Sequence, residues 1–390
     1  MKRGLFILIL AYVLSQFYRA FLPVLTNVLN ADIGAVPADL SFAAGVWFIT
    51  FAAMQIPIGA ALDSIGPRRT ASVLFAAGAG GGALVFSLAQ TPAHITLAMA
   101  LIGIGCAPVL MASYFILARG FSVAMFATLA GAIIGIGSLG NLAGSAPLAW
   151  AVTSFGWRET MLGLAVASLL VAVVIFALVR DPERIVVENK GSVLDVLRMP
   201  LLWPIFVMML VNYAPAASMR GLWAGPYVAD VFAASTQTIG QVTFVMAVSM
   251  IIGSFAFGPM DRLFKTRKWV IFGGQVLGLG AMVGLFLLPD RDLILSTALL
   301  AVVGFSGSSF AVLVAHAKAF VPPHLTGRGV TLLNLFGIGG AGLAQFVTGP
   351  IHTFGVESQT HDPYVLIFGF FAILTTLGLI AYVFSRDRTD

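Results

Sequence analysis

The stretch RDPERIVVENKGSVLDVLRMP, Arg180 to Pro200, decides how this chain is organised. It is the most polar stretch in the sequence and falls near the middle of 390 residues. On its amino-terminal side lie apolar runs at roughly 5–29, 40–61, 70–90, 93–117, 124–149 and 159–180. On its carboxyl side lie six more, at roughly 201–229, 236–257, 268–288, 293–317, 329–349 and 364–385. About 20 apolar residues in a helix cross the ~30 Å hydrocarbon layer. The runs are continuous, not the ~10-residue alternating segments of a membrane barrel, and a helix satisfies its own backbone in lipid. The expected fold is an all-α membrane protein with twelve transmembrane helices in two pseudo-symmetric six-helix bundles, residues 1–180 and 201–390, joined by a cytoplasmic linker, 181–200.

Composition agrees with that reading. Hydrophobic residues make up 59% and charged residues 9%, with a mean hydropathy of +1.00, against about 25% charged in an ordinary soluble domain. Leu5 to Leu29 is too long for a secretory signal and lacks a small-residue cleavage pattern. The single cysteine, Cys106, excludes a disulfide framework and a multi-cysteine metal site. The net charge of +5 suits a nucleic-acid partner only if it is gathered on one surface, and here it sits in short loops. With the amino terminus cytoplasmic, all the Lys and Arg except Arg19, Arg158, Arg220 and Arg291 fall on the cytoplasmic side. The positive-inside rule therefore places both termini inside, as in a bacterial-type cytoplasmic membrane. The 16 Asp and Glu all lie in loops or at helix ends, so the membrane interior holds two cations, Arg19 and Arg220, and no evident anion.

Features recur across the central stretch with an offset of about 200 residues, as an internal repeat requires. Arg19 answers to Arg220. Asp63 with Arg68 and Arg69 answers to Asp261 with Arg267 and Lys268, and Gly137 with Pro147 answers to Gly340 with Pro350. Parallel repeats of this kind place a binding site between the halves, exposed alternately on the two sides.

Gly59-Ala-Ala-Leu-Asp63-Ser-Ile-Gly66-Pro-Arg68-Arg69 closely resembles the G-x-x-x-D-x-x-G-[RP]-[RK] loop between helices 2 and 3 of the major facilitator superfamily. A degenerate copy, Gly258-Pro-Met-Asp261-Arg262-Leu-Phe-Lys265-Thr-Arg267-Lys268, stands where that family repeats it, and Gly156-Trp157-Arg158 before helix 6 is also typical. The resemblance covers the whole chain. It implies that helices 1, 4, 7 and 10 line a cavity and that 3, 6, 9 and 12 face lipid. The superfamily's drug/proton antiporters carry an Arg in helix 4 where this chain has Met99, four residues before Gly103. Helix 5 here reads Gly135-Ile-Gly137-Ser-Leu-Gly140-Asn141-Leu-Ala-Gly144 in place of their G-P-x-x-G-G signature. Both departures argue against drug export.

A charge at the bilayer centre costs at least ~2.5–3.5 kcal/mol on insertion scales, so two such residues at equivalent positions need a reason. A guanidinium presents a planar, always-charged fork that matches carboxylate or phosphate oxygens. The expected substrate is a small anion held by Arg19 and Arg220, and the superfamily's glycerol phosphate transporters resemble this plan. The competing role is a structural one, in which each Arg bonds helix carbonyls. Helical spacing puts Tyr213, Trp223 and Tyr227 on the face of Arg220 and Tyr12, Gln16 and Thr26 on the face of Arg19, with Tyr18 adjacent. Packing or an interfacial aromatic belt is the alternative for each. Tyr114, Ser306 and Ser309 are further candidates, and His316 is a possible proton carrier. Gly59, Asp63, Gly66, Arg68, Arg69, Asp261 and Arg267 are expected to form a conformational latch.

No P-loop, dinucleotide fingerprint, zinc signature or nucleophile elbow occurs in a fitting context. Neither a metal nor another cofactor is expected, and no enzymatic activity. The predicted function is secondary active transport of a carboxylate- or phosphate-bearing anion by exchange or symport, with one chain sufficient. Efflux of amphipathic compounds is the alternative.

Overall fold

A computed structural model of the chain describes residues 2–120, 123–182, 193–322, 325–358 and 362–388. Among them every regular element is helical. Most of the expected linker, 183–192, with Glu183, Arg184, Glu188 and Lys190, lies outside the described residues.

Among the described residues, ten helices are long and apolar enough to cross a membrane: Pro37–Ser64, Pro67–Ser87, Pro92–Gly120, Trp157–Leu178, Pro200–Phe232, Thr236–Phe264, Lys268–Leu287, Leu293–Lys318, Leu332–Ser358 and Pro363–Val383. Two more spans are broken. Gly4–Phe17 meets Leu22–Ile33 at 53°, and Leu129–Ala143 meets Ala146–Phe155 at 41°. Counting each bent pair once gives twelve spans, numbered here from first to twelfth in chain order. Proline accounts for both bends, since it lacks an N–H and fits only the first turn of a helix. Pro23 and Pro147 each stand in the first turn of the second piece.

Carboxylates start several of the helices. Asp39 Oδ2 accepts from Val36 N at 3.1 Å, Asp292 Oδ2 from Leu295 N at 3.1 Å, and Asp362 Oδ1 from Tyr364 N at 2.7 Å. Each satisfies an amide that the first turn leaves without an intrahelical acceptor. Asp32, at the end of the first span, receives both Trp157 Nε1 at 3.0 Å and Arg158, whose Nη2 also donates to Ala89 O at 2.9 Å. The Gly-Trp-Arg sequence before the sixth span thus ties the ends of the first, third and sixth together.

Contacts divide the chain into two units: Met1–Val186 with Ser235–Phe244, and Val187–Ala234 with Val245–Asp390. In the first unit, the first span packs against the fourth, fifth and sixth, the second against the fourth, and the third against the fourth and sixth. In the second unit, the seventh packs against the eleventh and twelfth, and the ninth against the tenth and twelfth. Ser249 and Ser308 join the eighth to the tenth through Ala301 O and Met250 O. The pairings of the first unit recur in the second, which supports the internal repeat.

The glycines correct the register of that repeat. A methyl group on Gly140 would land on Val13 O, and one on Gly340 would land on Leu210 O. Gly140, not Gly137, is therefore the equivalent of Gly340. Gly137 meets Tyr12, one residue before Val13, as Gly337 meets Met209, one residue before Leu210. Lipid offers little hydrophobic drive for helix association, so such backbone approach and close packing hold the spans together. The second unit's core shows it, with Phe206 stacked on Phe336 at 5.0 Å among Leu202, Met209, Leu313 and Leu333.

Candidate substrate site

Arg19 sits in the break of the first span. Around it the chain turns tightly, with Arg19 N donating to Gln16 O at 3.3 Å and Ala20 N to Phe17 O at 2.9 Å, before the helix restarts at Leu22. The guanidinium carbon lies 5.2 Å from the ring centroids of both Trp47 and Phe51. Those rings are one turn apart on the second span and stack on each other at 5.2 Å. Contacts of this kind are worth roughly 0.5–2 kcal/mol and leave the N–H donors uncommitted. Arg19 Nε, Gln16 Oε1 and Trp47 Nε1 are all buried without a hydrogen-bond partner. An unmet buried polar atom costs about 1–3 kcal/mol.

Arg220 lies within a π-turn, Met219–Trp223, and is 1% exposed. Its Nη2 donates to Tyr213 Oη at 3.0 Å. Such turns insert one residue into a helix and concentrate at functional sites. A second irregularity precedes it, where Tyr213 separates Trp203–Asn212 from the short helix Ala214–Ser218. Both intramembrane cations therefore occupy interruptions of the α-helical ladder.

The companions expected from helical spacing divide. Tyr213 reaches Arg220. Tyr12 accepts from Gln16 Nε2 at 3.0 Å beside the first break, and Tyr114 lies within electrostatic reach of Tyr12. Thr26 donates to Pro23 O at 2.9 Å. Tyr18 is turned away, its hydroxyl engaged by Ser168 Oγ at 3.0 Å and Leu164 O at 3.3 Å on the sixth span. The π-turn rotates the residues beyond Arg220. Trp223 Nε1 donates to Thr348 Oγ1 at 2.9 Å, and Tyr227 bonds Pro289 O and Ser296 Oγ, so both serve packing inside their unit. Ser309 is tied into a polar knot with Asn212 at 2.8 Å and Gln275 at 3.1 Å, while Ser306 bonds its own helix at Val303 O. His316 has both ring nitrogens engaged, Nδ1 by Tyr382 Oη at 2.7 Å and Nε2 by Arg386 O at 2.9 Å. That fastens the end of the tenth span to the tail of the twelfth.

The two loops expected to form a latch are built alike. In the first unit, Asp63 pairs with Arg119 at 3.3 Å. Gly66 adopts φ +101°, where an L side chain is strained and where a Cβ would meet the Asp181 carboxylate. That carboxylate accepts from Arg68 N at 2.7 Å, at the start of the third span, while Arg68 Nε donates to Phe176 O at 2.6 Å. Arg69 is exposed, and the half-buried Gly59 has only Met111 near its α-carbon. In the second unit, Asp261 pairs with Arg267 at 3.3 Å, and Asp387 accepts from Arg267 N at 3.1 Å, Lys268 N at 3.0 Å and Thr266 Oγ1. Burial alone would raise the carboxyl pKa of Asp387, but these donors outweigh it and hold the group below its ordinary range. Gly258, Asp261, Arg262, Lys265, Arg267 and Ala315 line an adjoining cleft of about 560 Å³.

Four residues of these arrangements were not singled out from sequence. Trp47 and Phe51 form an i, i+4 aromatic pair, a signal that could have found them. Asp181 and Asp387 each follow an Arg at the end of a sixth span of their half, a repeat within the repeat.

A family model described as Major Facilitator Superfamily matches residues 5–224, more than half of the chain. The chain belongs to the Major Facilitator Superfamily. Membership makes it a multi-pass membrane protein and a secondary transporter. Solved structures of similar fold include a bacterial homolog to the human lysosomal transporter Spinster in an inward-facing, occupied conformation, at TM-score 0.75 and 17% identity, covering 98% of this chain and 96% of that one. A point mutant of the nucleoside transporter NupG aligns at 0.75 and 15% identity over 98% and 99% of the two chains. A D-xylose-proton symporter aligns at 0.77 and 16% over 97% and 96%. No curated protein matches the sequence.

Proposed function

We propose that this superfamily member transports a small anion bearing carboxylate or phosphate groups, by exchange or symport, and that Arg19 and Arg220 contact it. The observation that carries the reading is Arg19. A half-buried Arg at a helix break sets its guanidinium over two aromatic rings, with a buried Nε unmet and, among the described residues, no carboxylate paired with it. Charge-assisted bonds from a planar fork are the strong ones available there. Gln16, Tyr12 and Tyr114 on the first side and Tyr213 on the second are its polar companions, while the Asp63 and Asp261 loops latch the conformational cycle. Both termini face the cytoplasm, and one chain suffices.

Uptake into proteoliposomes tests this, with labelled succinate, citrate, glycerol 3-phosphate, phosphate and nitrate beside one lipophilic cation. The expected result is selective transport of an anion that Arg19→Gln and Arg220→Gln both abolish while remaining folded. Movement of the cation alone, equal in all three proteins, would replace anion transport with efflux of amphipathic compounds.

A further inference from the structure

A histidine outside the arginine neighbourhoods has the features that His316 lacks. His352 lies on the eleventh span and is 6% exposed. Its ring stacks on the indole of Trp223 at 5.2 Å and 33°, and meets the ring of Tyr364 at 5.3 Å and 64°. Its Nε2 is buried with no hydrogen-bond partner. Tyr364 Oη in turn donates to the carboxylate of Asp230, an exposed residue near the end of the seventh span. Aromatic rings and one unmet nitrogen therefore stand a single tyrosine away from a carboxylate in contact with water.

The charges around His352 favour one sign. The seventh span contributes Asp230 and Tyr227, and the twelfth contributes Tyr364 with its cap Asp362. The connection between the ninth and tenth spans carries Asp290, Arg291 and Asp292, and Glu357 stands five residues further along the eleventh. The opposing cations are Arg291 and Arg220, the latter three residues before Trp223 on the seventh span. Burial disfavours the charged ring, and the fields of Asp230 and Asp362 act against that penalty.

We propose that His352 Nε2 is a proton-binding site, with Asp230 as the carboxylate that favours the charged ring and Trp223 as the aromatic face that receives it. A hydronium ion at the Asp230 end gives a proton to the Nε2 lone pair; one O–H bond breaks, one N–H bond forms and neutral water is left. The imidazolium gains the attraction of the indole face and of the Asp230 charge. It also places a second positive charge against Trp223, three residues from Arg220. Proton and anion then raise each other's affinity in the same measure, because such coupling is reciprocal. This deepens the anion-transport reading and makes it a symport.

The test needs no solute, so its failure is distinct from failure of anion transport. An imidazolium quenches the emission of an indole it touches. The intrinsic fluorescence of the full chain in lipid nanodiscs is followed from about pH 8 down to about pH 4, across the range in which histidine changes charge. A reversible loss of emission on acidification is expected. The step should vanish in Trp223→Phe, which assigns it, and in His352→Gln, and its midpoint should move to lower pH in Asp230→Asn. A step that survives in His352→Gln, or a wild type with no step lost in Trp223→Phe, overturns the site; an unmoved midpoint in Asp230→Asn removes Asp230 from it. Should His352→Gln not fold, histidine-selective NMR of the wild type decides, and a ring that stays neutral down to about pH 4 overturns the proposal.

Discussion

The two intramembrane arginines occupy equivalent places in a repeated sequence, yet their surroundings differ. Arg19 is gripped by the faces of Trp47 and Phe51, whereas Arg220 donates to a hydroxyl of its own span, Tyr213. The first is placed by an open break of 53°, the second by a π-turn inside a span that otherwise continues. A cation was kept on both sides while the means of holding it diverged. What the repeat conserves is a charge at a given depth, and the supporting contacts follow the neighbours each half happens to have. An aromatic grip leaves donors uncommitted, while a hydroxyl partner fixes one donor's direction.

The harshest way to break the comparison keeps the charge and removes the fork. Arg19→Lys and Arg220→Lys are each expected to lower anion uptake by about 100-fold, since a bidentate charged contact is worth roughly 1.5–3 kcal/mol; uptake near wild-type level in either would assign that residue a charge-only role. A milder change separates the two sides. Trp47→Leu should raise the KM about tenfold through Arg19, and Tyr213→Phe should raise it by roughly five- to tenfold through Arg220. Measured together they should be additive, because neither removes a partner of the other. The smallest effect concerns stability. Asp387 has a depressed carboxyl pKa, so its capping of the ninth span is fully present above the unfolded value of about 3.9 and is lost as pH falls through the lower folded value. Thermal unfolding of Asp387→Asn should therefore differ from wild type at neutral pH and converge with it on acidification.

Much of this was legible in the chain alone. Span length, the bias of Lys and Arg, and the Gly59–Arg69 loop carried the fold, because lipid leaves the backbone few choices. The placement of Arg19 and Arg220 within apolar spans was also legible from those runs. Side-chain direction beyond Arg220 did not. Spacing rules assume 3.6 residues per turn, and the π-turn at Met219–Trp223 carries Trp223 and Tyr227 off the predicted face. Tyr18 shows another limit, since adjacency in sequence placed it beside Arg19 while the break sent its hydroxyl to Ser168. Of the histidines on apolar helices, the sequence reading singled out His316 and passed over His352. Only the partners Tyr382 and Arg386 on one, and the unmet Nε2 on the other, tell them apart.

Gly140 and Gly340 have a thermodynamic meaning beyond packing. Each lets a neighbouring helix lie directly on the backbone of an arginine-bearing span, at Val13 and Leu210. Those spans surrender their freedom to shift or rotate within their own unit when the chain folds. On the proposed reading, an anion would meet guanidinium groups whose backbone is already ordered, and its binding energy would not be diminished by having to immobilise them. Glycine, the residue with least to offer a ligand, thus sets part of the affinity by fixing in advance the entropy that binding would otherwise have to overcome.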